Sequence, residues 1–209
     1  MEKQAEFNYK KYRWFFTKSG KLVYGGKSAE QNEEIVKKVV ENLNPQKKYE
    51  KEFGKKKGGS YNIVMHTKIP GSPFSVIDSP MEKISEEDLE ECAVWTACFS
   101  RAWRSKLKKT PVDVFTSEQI VKKRGMKEGT FGVIGKIDRR AVELKLVLIE
   151  QKGVLRAVPE ASSKGKKLMV LVPGEKPKEK YAYEISEKLK KKKDEVLNAL
   201  PTGGFKELR

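Results

Sequence analysis

The sequence predicts an α+β fold: a single mixed α/β domain with a largely antiparallel sheet, an N-terminal hairpin–helix unit and a long central helix. Three observations lead there. The stretch RWFFTKSGKLVYGGKSAEQNEE (13–34) runs from an aromatic hairpin through two glycines into a charged helix. Short strand patterns punctuated by Gly and Pro follow it. The longest helical pattern, ISEEDLEECAVWTACFSRAWRSKLKK (84–109), lies between those strands.

The elements follow in chain order. Residues 13–17 and 21–24 flank Lys18-Ser19-Gly20, a turn in which Gly supplies positive φ. Ser28 and Gln31 have capping-box spacing. Ile35, Val36, Val39, Val40 and Leu43 make a helical apolar stripe. Glu30, Glu33 and Glu34 precede Lys37 and Lys38, an order that suits the helix dipole. KKYEKEFGKKKGG (47–59) reads as a loosely ordered loop. Strands are predicted at 61–65 and 74–77, around a Pro-Gly-Ser-Pro corner. Ser85 caps the central helix with Asp88 three residues on. After Pro111 come a strand (112–115), a short helix near 117–122, and strands at 130–137 and about 142–149. A short strand, a polar loop containing Gly165 and a strand at 168–172 follow. A helix over 183–199 closes the fold, with KLKKKK (188–193) inside it. The predicted division is a main domain over 8–140 and a C-terminal strand–helix extension over 141–209, packed on the same domain.

Composition narrows the function. The 209 residues suffice for one sizeable core, or a core with a small appendage. Lys and Arg number 45 against 29 Asp and Glu, a formal charge of +16, well beyond what solubility needs. A polyanionic partner accounts for that surplus, and so does a solvated lysine-rich surface. The basic helices lack the strongly aromatic apolar face of a membrane-surface helix. No stretch approaches a membrane span, and MEKQAEFNYK has no apolar signal region. Cys92 and Cys98 fit neither a CxxC half-site nor a disulfide framework. They read as reduced core residues in a cytoplasmic protein, and no metal or cofactor is expected.

Candidate chemistry lies in three places. On a continuous helix, Leu89, Cys92, Thr96, Phe99, Ser100, Trp103 and Leu107 share one face, with Arg101, Arg104 and Lys108 on the other. No acid interrupts RAWRSKLKK (101–109), so a phosphate backbone would relieve its mutual repulsion. Solvent would do so too. Trp103 reads either as core or as a base-stacking platform. His66, the only histidine, opens HTKIPGS, where an imidazole, the Thr67 hydroxyl and the Lys68 ammonium can face one ligand. Ligand contact, structural hydrogen bonding and general-base chemistry are all open to it. In GTFGVIGKI (129–137), Gly135 beside Lys136 admits a ligand or marks a bulge. No Walker loop, dinucleotide fingerprint or zinc motif is present.

Four of these stretches, in order, resemble the RNA-binding domain of the NFACT family: 13–38, HTKIPGS with FSVI (66–77), AVWTACFSRAWRSKLKKTPVDVF (93–115) and GTFGVIGK (129–136). Many relatives carry an acidic residue between the equivalents of Lys68 and Ile69, absent here. Pro73 stands where some have a second histidine. The resemblance implies RNA or ribonucleoprotein binding without catalysis. It points to transfer RNA or the RNA of the large ribosomal subunit, in relatives that act in quality control of stalled translation. It further implies the smaller, stand-alone form seen in archaeal-like proteins. Its glycine-basic element falls on Gly26 and Lys27, after the structural glycine Gly25, and its histidine loop on His66, Lys68, Gly71 and Ser72. Its serine-basic helix falls on Ser100, Arg101 and Lys106, beside Arg104 and Lys108, and its strand end on Gly135 and Lys136. A ribosome-docking protein adaptor and an RNA-acting enzyme using His66 are the alternatives.

Overall fold

The computed structural model describes residues 7–41 and 61–208. It is a mixed α/β fold built on antiparallel sheets, with the predicted hairpin and helix at one end. The end of the first apolar stripe at Leu43 and the predicted loop at 47–59 lie outside the described residues.

Strands β1 (Arg13–Phe16) and β2 (Leu22–Gly25) form the hairpin, and α1 (Ala29–Glu41) follows. Strands β3 (Ile63–Thr67), β4 (Ser75–Asp78), β5 (Lys109–Thr116) and β8 (Asp138–Glu143) join them in a six-stranded sheet ordered β1-β2-β4-β3-β5-β8. A period-2 side-chain pattern gives this sheet two apolar faces. Trp14, Tyr24, Val64, Val76 and Phe115 pack with Ile35, Val36 and Val39 of α1. Their neighbours Phe15, Val23, Met65, Ile77 and Val114 join Cys92, Trp95 and Cys98 on the other face. Those three belong to α2 (Glu86–Cys98), whose N-terminus carries the Ser85–Asp88 capping box. Both cysteines are free and buried, and burial raises their pKa values, that of Cys92 to about 12.

The second core continues into a four-stranded sheet, β10 (Val154–Val158), β9 (Leu146–Gln151), β11 (Met169–Lys176) and β12 (Phe205–Leu208). Gln151 links the two sheets: its side-chain amide exchanges hydrogen bonds with both backbone groups of Phe16, each at 2.8 Å. The hairpin turn is anchored as well. Thr17 and Ser19 donate to Asp88 at 2.6 Å, and Lys18 N donates to Glu91 at 2.9 Å. Ser162 from the polar loop also donates to Glu91.

Several predicted elements are corrected. The helix expected over 84–109 stops at Cys98, restarts as α3 (Arg101–Arg104) and gives way to β5 at Lys109. Ser100 makes the break: its hydroxyl donates to Ala97 O at 2.7 Å and accepts from Ala102 N at 3.1 Å. The helix near 117–122 is a single 3-10 turn (Ser117–Gln119) followed by β6 (Ile120–Val121). The strand expected at 130–137 shrinks to β7 (Gly132–Val133). Positive φ at Gly129 and Gly135 turns the chain away, and the Gln119 amide holds the carbonyls of Ile134 and Lys136. The strand expected at 142–149 divides between the two sheets around Leu144. Charged DRRAVE serves as the edge β8, while the run LVLI of β9 is buried at every position. The last helix is two, α4 (Lys178–Leu189) and α5 (Lys193–Ala199). Lys190 takes a left-handed conformation between them, and Lys191 N bonds back to Ser186 O. No described helix is long and apolar enough to cross a membrane.

Trp103 is fully buried, donates Nε1–H to Gly204 O at 2.9 Å and meets Phe205 at a ring spacing of 5.4 Å. Trp103→Phe should therefore cost roughly 1–3 kcal/mol in urea unfolding, through a lost buried bond and a residual cavity. A loss below about 0.5 kcal/mol, the range of ordinary surface changes, would show that this ring does not hold the C-terminal strand.

Candidate nucleic-acid interface

Three segments meet around a cleft of about 720 Å³: the turn after β2, the loop from β3 to β4, and α3. Each is positioned by a close backbone approach. A Cβ on Gly25 would lie 2.9 Å from Pro73 Cβ and 3.1 Å from the Trp95 ring. On Gly26 it would lie 2.8 Å from Asn32 N. Asn32 Oδ1 accepts from Phe74 N at 3.0 Å, tying the start of α1 to the loop. The cap of α1 is offset from the expected box. Ser28 Oγ accepts from Gln31 N, while Gln31 Oε1 accepts from Lys27 N at 3.0 Å, which fixes the backbone of Lys27.

The 68–73 loop closes on itself. Thr67 N donates to Ser72 Oγ at 2.9 Å, and Thr67 Oγ1 donates to Ile69 O at 2.7 Å. Its far side rests on α3, where Arg101 N donates to Gly71 O at 3.2 Å. Gly71 has φ +107°, and a Cβ there would lie 2.5 Å from Arg101 Nε. Lys27, Lys68, Arg101 and Arg104 are exposed and line this cleft together with half-buried Arg13. The acids lining it are Asp113, which accepts from Arg139 Nε at 2.6 Å, and exposed Glu128.

His66 is half-buried on the cleft wall, its ring 4.5 Å from Phe74 and its backbone opposite Asp113 in the sheet. Burial lowers its pKa against the smaller opposing effects of a Thr67 backbone bond and the Asp113 charge. The imidazole is therefore neutral at pH 7. Ser72 is buried and serves the loop through its bond to Thr67. Phe131 completes an aromatic wall, 5.3 Å from Phe74, with Lys122 Nζ 4.5 Å from its ring. Glu33 holds that segment against α1, accepting from Lys122 at 2.7 Å and Gly129 N at 2.9 Å.

Other expected residues stand apart. Lys106 ends α3 at φ +56° and pairs with Glu175 at 2.5 Å, outside the cleft. Lys108 shares no helical face with Arg101 and Arg104 because α3 ends at Arg104. Lys136 and Gly135 lie beyond β7, held by the Gln119 side chain through the Lys136 carbonyl. Sequence reasoning missed Arg13, Asn32 and Phe131. Arg13 had a readable signal, a lone cation opening the aromatic strand RWFF. Asn32 had none, since its role depends on a loop 42 residues away.

Positive charge is concentrated here. Lys27 has a lowered pKa through shielding by protein and the repulsion of Arg13 and Arg156. Burial, aided by Arg13, pulls Lys178 down to about 8, while Glu179 opposes. Lys178 Nζ donates to Leu200 O at 3.0 Å. Among the described residues, no group of three or more His, Cys, Asp or Glu is placed to hold a metal ion.

Comparison with known proteins gives this arrangement a context. Residues 43–135 match the family described as NFACT protein RNA binding domain. The archaeal Rqc2 homolog aRqcH of Methanocaldococcus jannaschii is 31% identical over 94% of this chain, which spans 28% of that protein. The ribosome quality control complex subunit NEMF homolog of Drosophila melanogaster is 30% identical over 62% of this chain and 12% of its own length. The C-terminal part of the fibronectin/fibrinogen-binding protein from Streptococcus suis aligns with a TM-score of 0.47 at 21% identity, over 68% of this chain and 47% of that one. The chain is thus similar to that RNA-binding family over the matched stretch, and to a segment of each of the archaeal and fly proteins.

Two outcomes test this geometry. Gly71→Ala should destabilise the fold by about 1–3 kcal/mol, because it forces a non-Gly residue into a strained φ and displaces Arg101; equilibrium urea unfolding measures it. For Lys178, the folded-state pKa near 8 lies below the ordinary 10.5. Between those values the unfolded chain holds a proton that the folded one lacks, so this group makes stability rise with pH across the window. Lys178→Met should flatten the rise in a pH series of thermal melts.

Proposed function

We propose that the cleft binds RNA by its phosphate backbone, without catalysis. The observation that carries this reading is the convergence of Lys27, Lys68, Arg101 and Arg104 from three separate segments onto one cleft with few acids. Unpaired basic side chains on a rigid frame suit phosphate contacts, which position a strand without reading its sequence. Arg supplies forked donors, and Lys supplies reach. His66, neutral and held against Phe74, and half-buried Phe131 offer flat surfaces beside that backbone track.

The names of the homologous archaeal and fly proteins support a role in translation or ribosome quality control. Transfer RNA or large-subunit RNA is then the natural ligand, and the cytoplasm the natural place. In this reading residues 8–140 form the RNA-binding domain and residues 141–209 form an extension packed on it.

The test is a salt series with transfer RNA, ribosomal RNA fragments, matched DNA and intact large subunits, comparing wild type with Lys27→Ala/Arg101→Ala/Arg104→Ala. Affinity should favour RNA or subunits, and the variant should lower the slope of log K against log salt by about 2–3. Equal, weak binding to every polyanion with an unchanged slope would refute the site and leave general electrostatic attraction.

A further inference from the structure

A second recess, of about 270 Å³, adjoins the cleft and shares Arg13, Lys27 and Phe99 with it. Its remaining lining includes Lys10, Trp14, Trp95, Arg156 of β10, and Glu195 and Asn198 of α5. Arg13 comes from β1 and Arg156 from the other sheet, so the recess exists only because the two sheets meet.

The charges in it are unbalanced. Arg13 Nε and Arg156 Nε are both buried without a hydrogen-bond partner. Among the described residues, no carboxylate forms an ion pair with either guanidinium. Glu195, the acid lining the recess, attracts Arg156 without an ion pair; it accepts from Leu155 N at 3.2 Å and lies 3.8 Å from Lys191. Arg156 Nη1 reaches Leu155 O at 3.3 Å. Each guanidinium has an aromatic ring on its face, Phe99 at 5.0 Å from Arg13 and Trp14 at 4.1 Å from Arg156. Stacking of this kind fixes a guanidinium plane and leaves its edge donors for an anion. Shielded cations that repel each other are costly unless something pairs with them.

We propose that Arg13, Lys27 and Arg156 form a seat for a single phosphomonoester group beside the open cleft. Two guanidinium forks and an ammonium match a doubly charged, tetrahedral group with several free oxygens better than a planar carboxylate. The volume lies just under the usual range for small-molecule pockets, about 300–1,000 Å³, so it suits a phosphate with its attached sugar rather than a long ligand. The recess adjoins the cleft at Arg13, Lys27 and Phe99, and residues of both sheets contribute to its lining. A chain end can enter such a recess, whereas a continuous strand would have to leave again. That the phosphate is an RNA end rests on the RNA-binding reading; the seat itself does not.

The experiment uses the full chain at fixed ionic strength, with a short RNA carrying a 5′-phosphate, a 3′-phosphate or hydroxyls at both ends, and inorganic phosphate as a separate probe. Wild type should bind one phosphorylated form at least about tenfold more tightly than the hydroxyl form, the scale of one charge-assisted bond. Arg156→Gln should erase that preference and leave the hydroxyl-ended RNA bound as before, since Arg156 does not line the cleft. Arg156→Lys, which keeps the charge, should retain part of the preference. Saturable inorganic phosphate binding lost in Arg156→Gln, with no preference among RNA ends, would keep the seat and assign it to a free phosphomonoester. No end preference and no phosphate binding by wild type would overturn the seat whether or not the variants fold. Binding of the hydroxyl-ended RNA reports separately on the cleft.

Discussion

The contact between Gly71 and Arg101 organises the functional face. Gly71 accepts the Arg101 N–H, and its missing Cβ leaves the space that the Arg101 side chain occupies. That approach requires the central helix to break at Ser100, because the Arg101 N–H is free for the loop only as the first turn of a new helix. From the other side, Asn32 holds Phe74 N and presses on Gly26. The 68–73 loop is thus clamped between two helix N-termini. Lys68 in that loop and Arg101 beside it are thus carried on backbone segments held by hydrogen bonds.

The protein treats its charges differently in two regions. Buried acids carry structural work: Asp88 and Glu91 receive the hairpin turn, and Glu33, behind the cleft wall, receives Lys122 and Gly129. Burial raises the pKa of Glu91 even against the bonds from Ser162 and Lys18, so the network is held by donors rather than by cations. In the cleft the balance inverts. Among the described residues, Lys27, Lys68, Arg101 and Arg104 form no ion pair there, and the two guanidiniums behind the cleft are stacked on aromatic rings. Positive charge is concentrated where a polyanion would neutralise it, and elsewhere pairs such as Lys106–Glu175 are screened surface contacts of little energetic weight.

Legibility in the sequence followed locality. The hairpin, the Ser85 cap and the stripe on α1 rest on interactions within a few residues, and the structure has them. The His66 loop and the Arg101 segment were separately visible as polar and basic motifs. The helix break was misread, because Phe99-Ser100-Arg101 has no proline or glycine and Ser100 acts through a cap that competes with helix continuation. Lys108 and Lys136 were misplaced for the same kind of reason: their assumed helix and strand end earlier than periodicity suggested. Arg156 and Lys178 were not considered, since neither belongs to a basic run.

By itself the sequence determined the alternation that gives the sheet two apolar faces, the caps and turns of its local units, and the large surplus of positive charge. These are properties of neighbouring residues and of composition. Tertiary structure decided which of 45 cations share a field, which glycines admit a foreign side chain, and how β1 and β10 place two arginines side by side. Those outcomes depend on distances between separate segments, from Gly71 and Arg101 in neighbouring elements to Arg13 and Arg156 in different sheets, and no local periodicity encodes them.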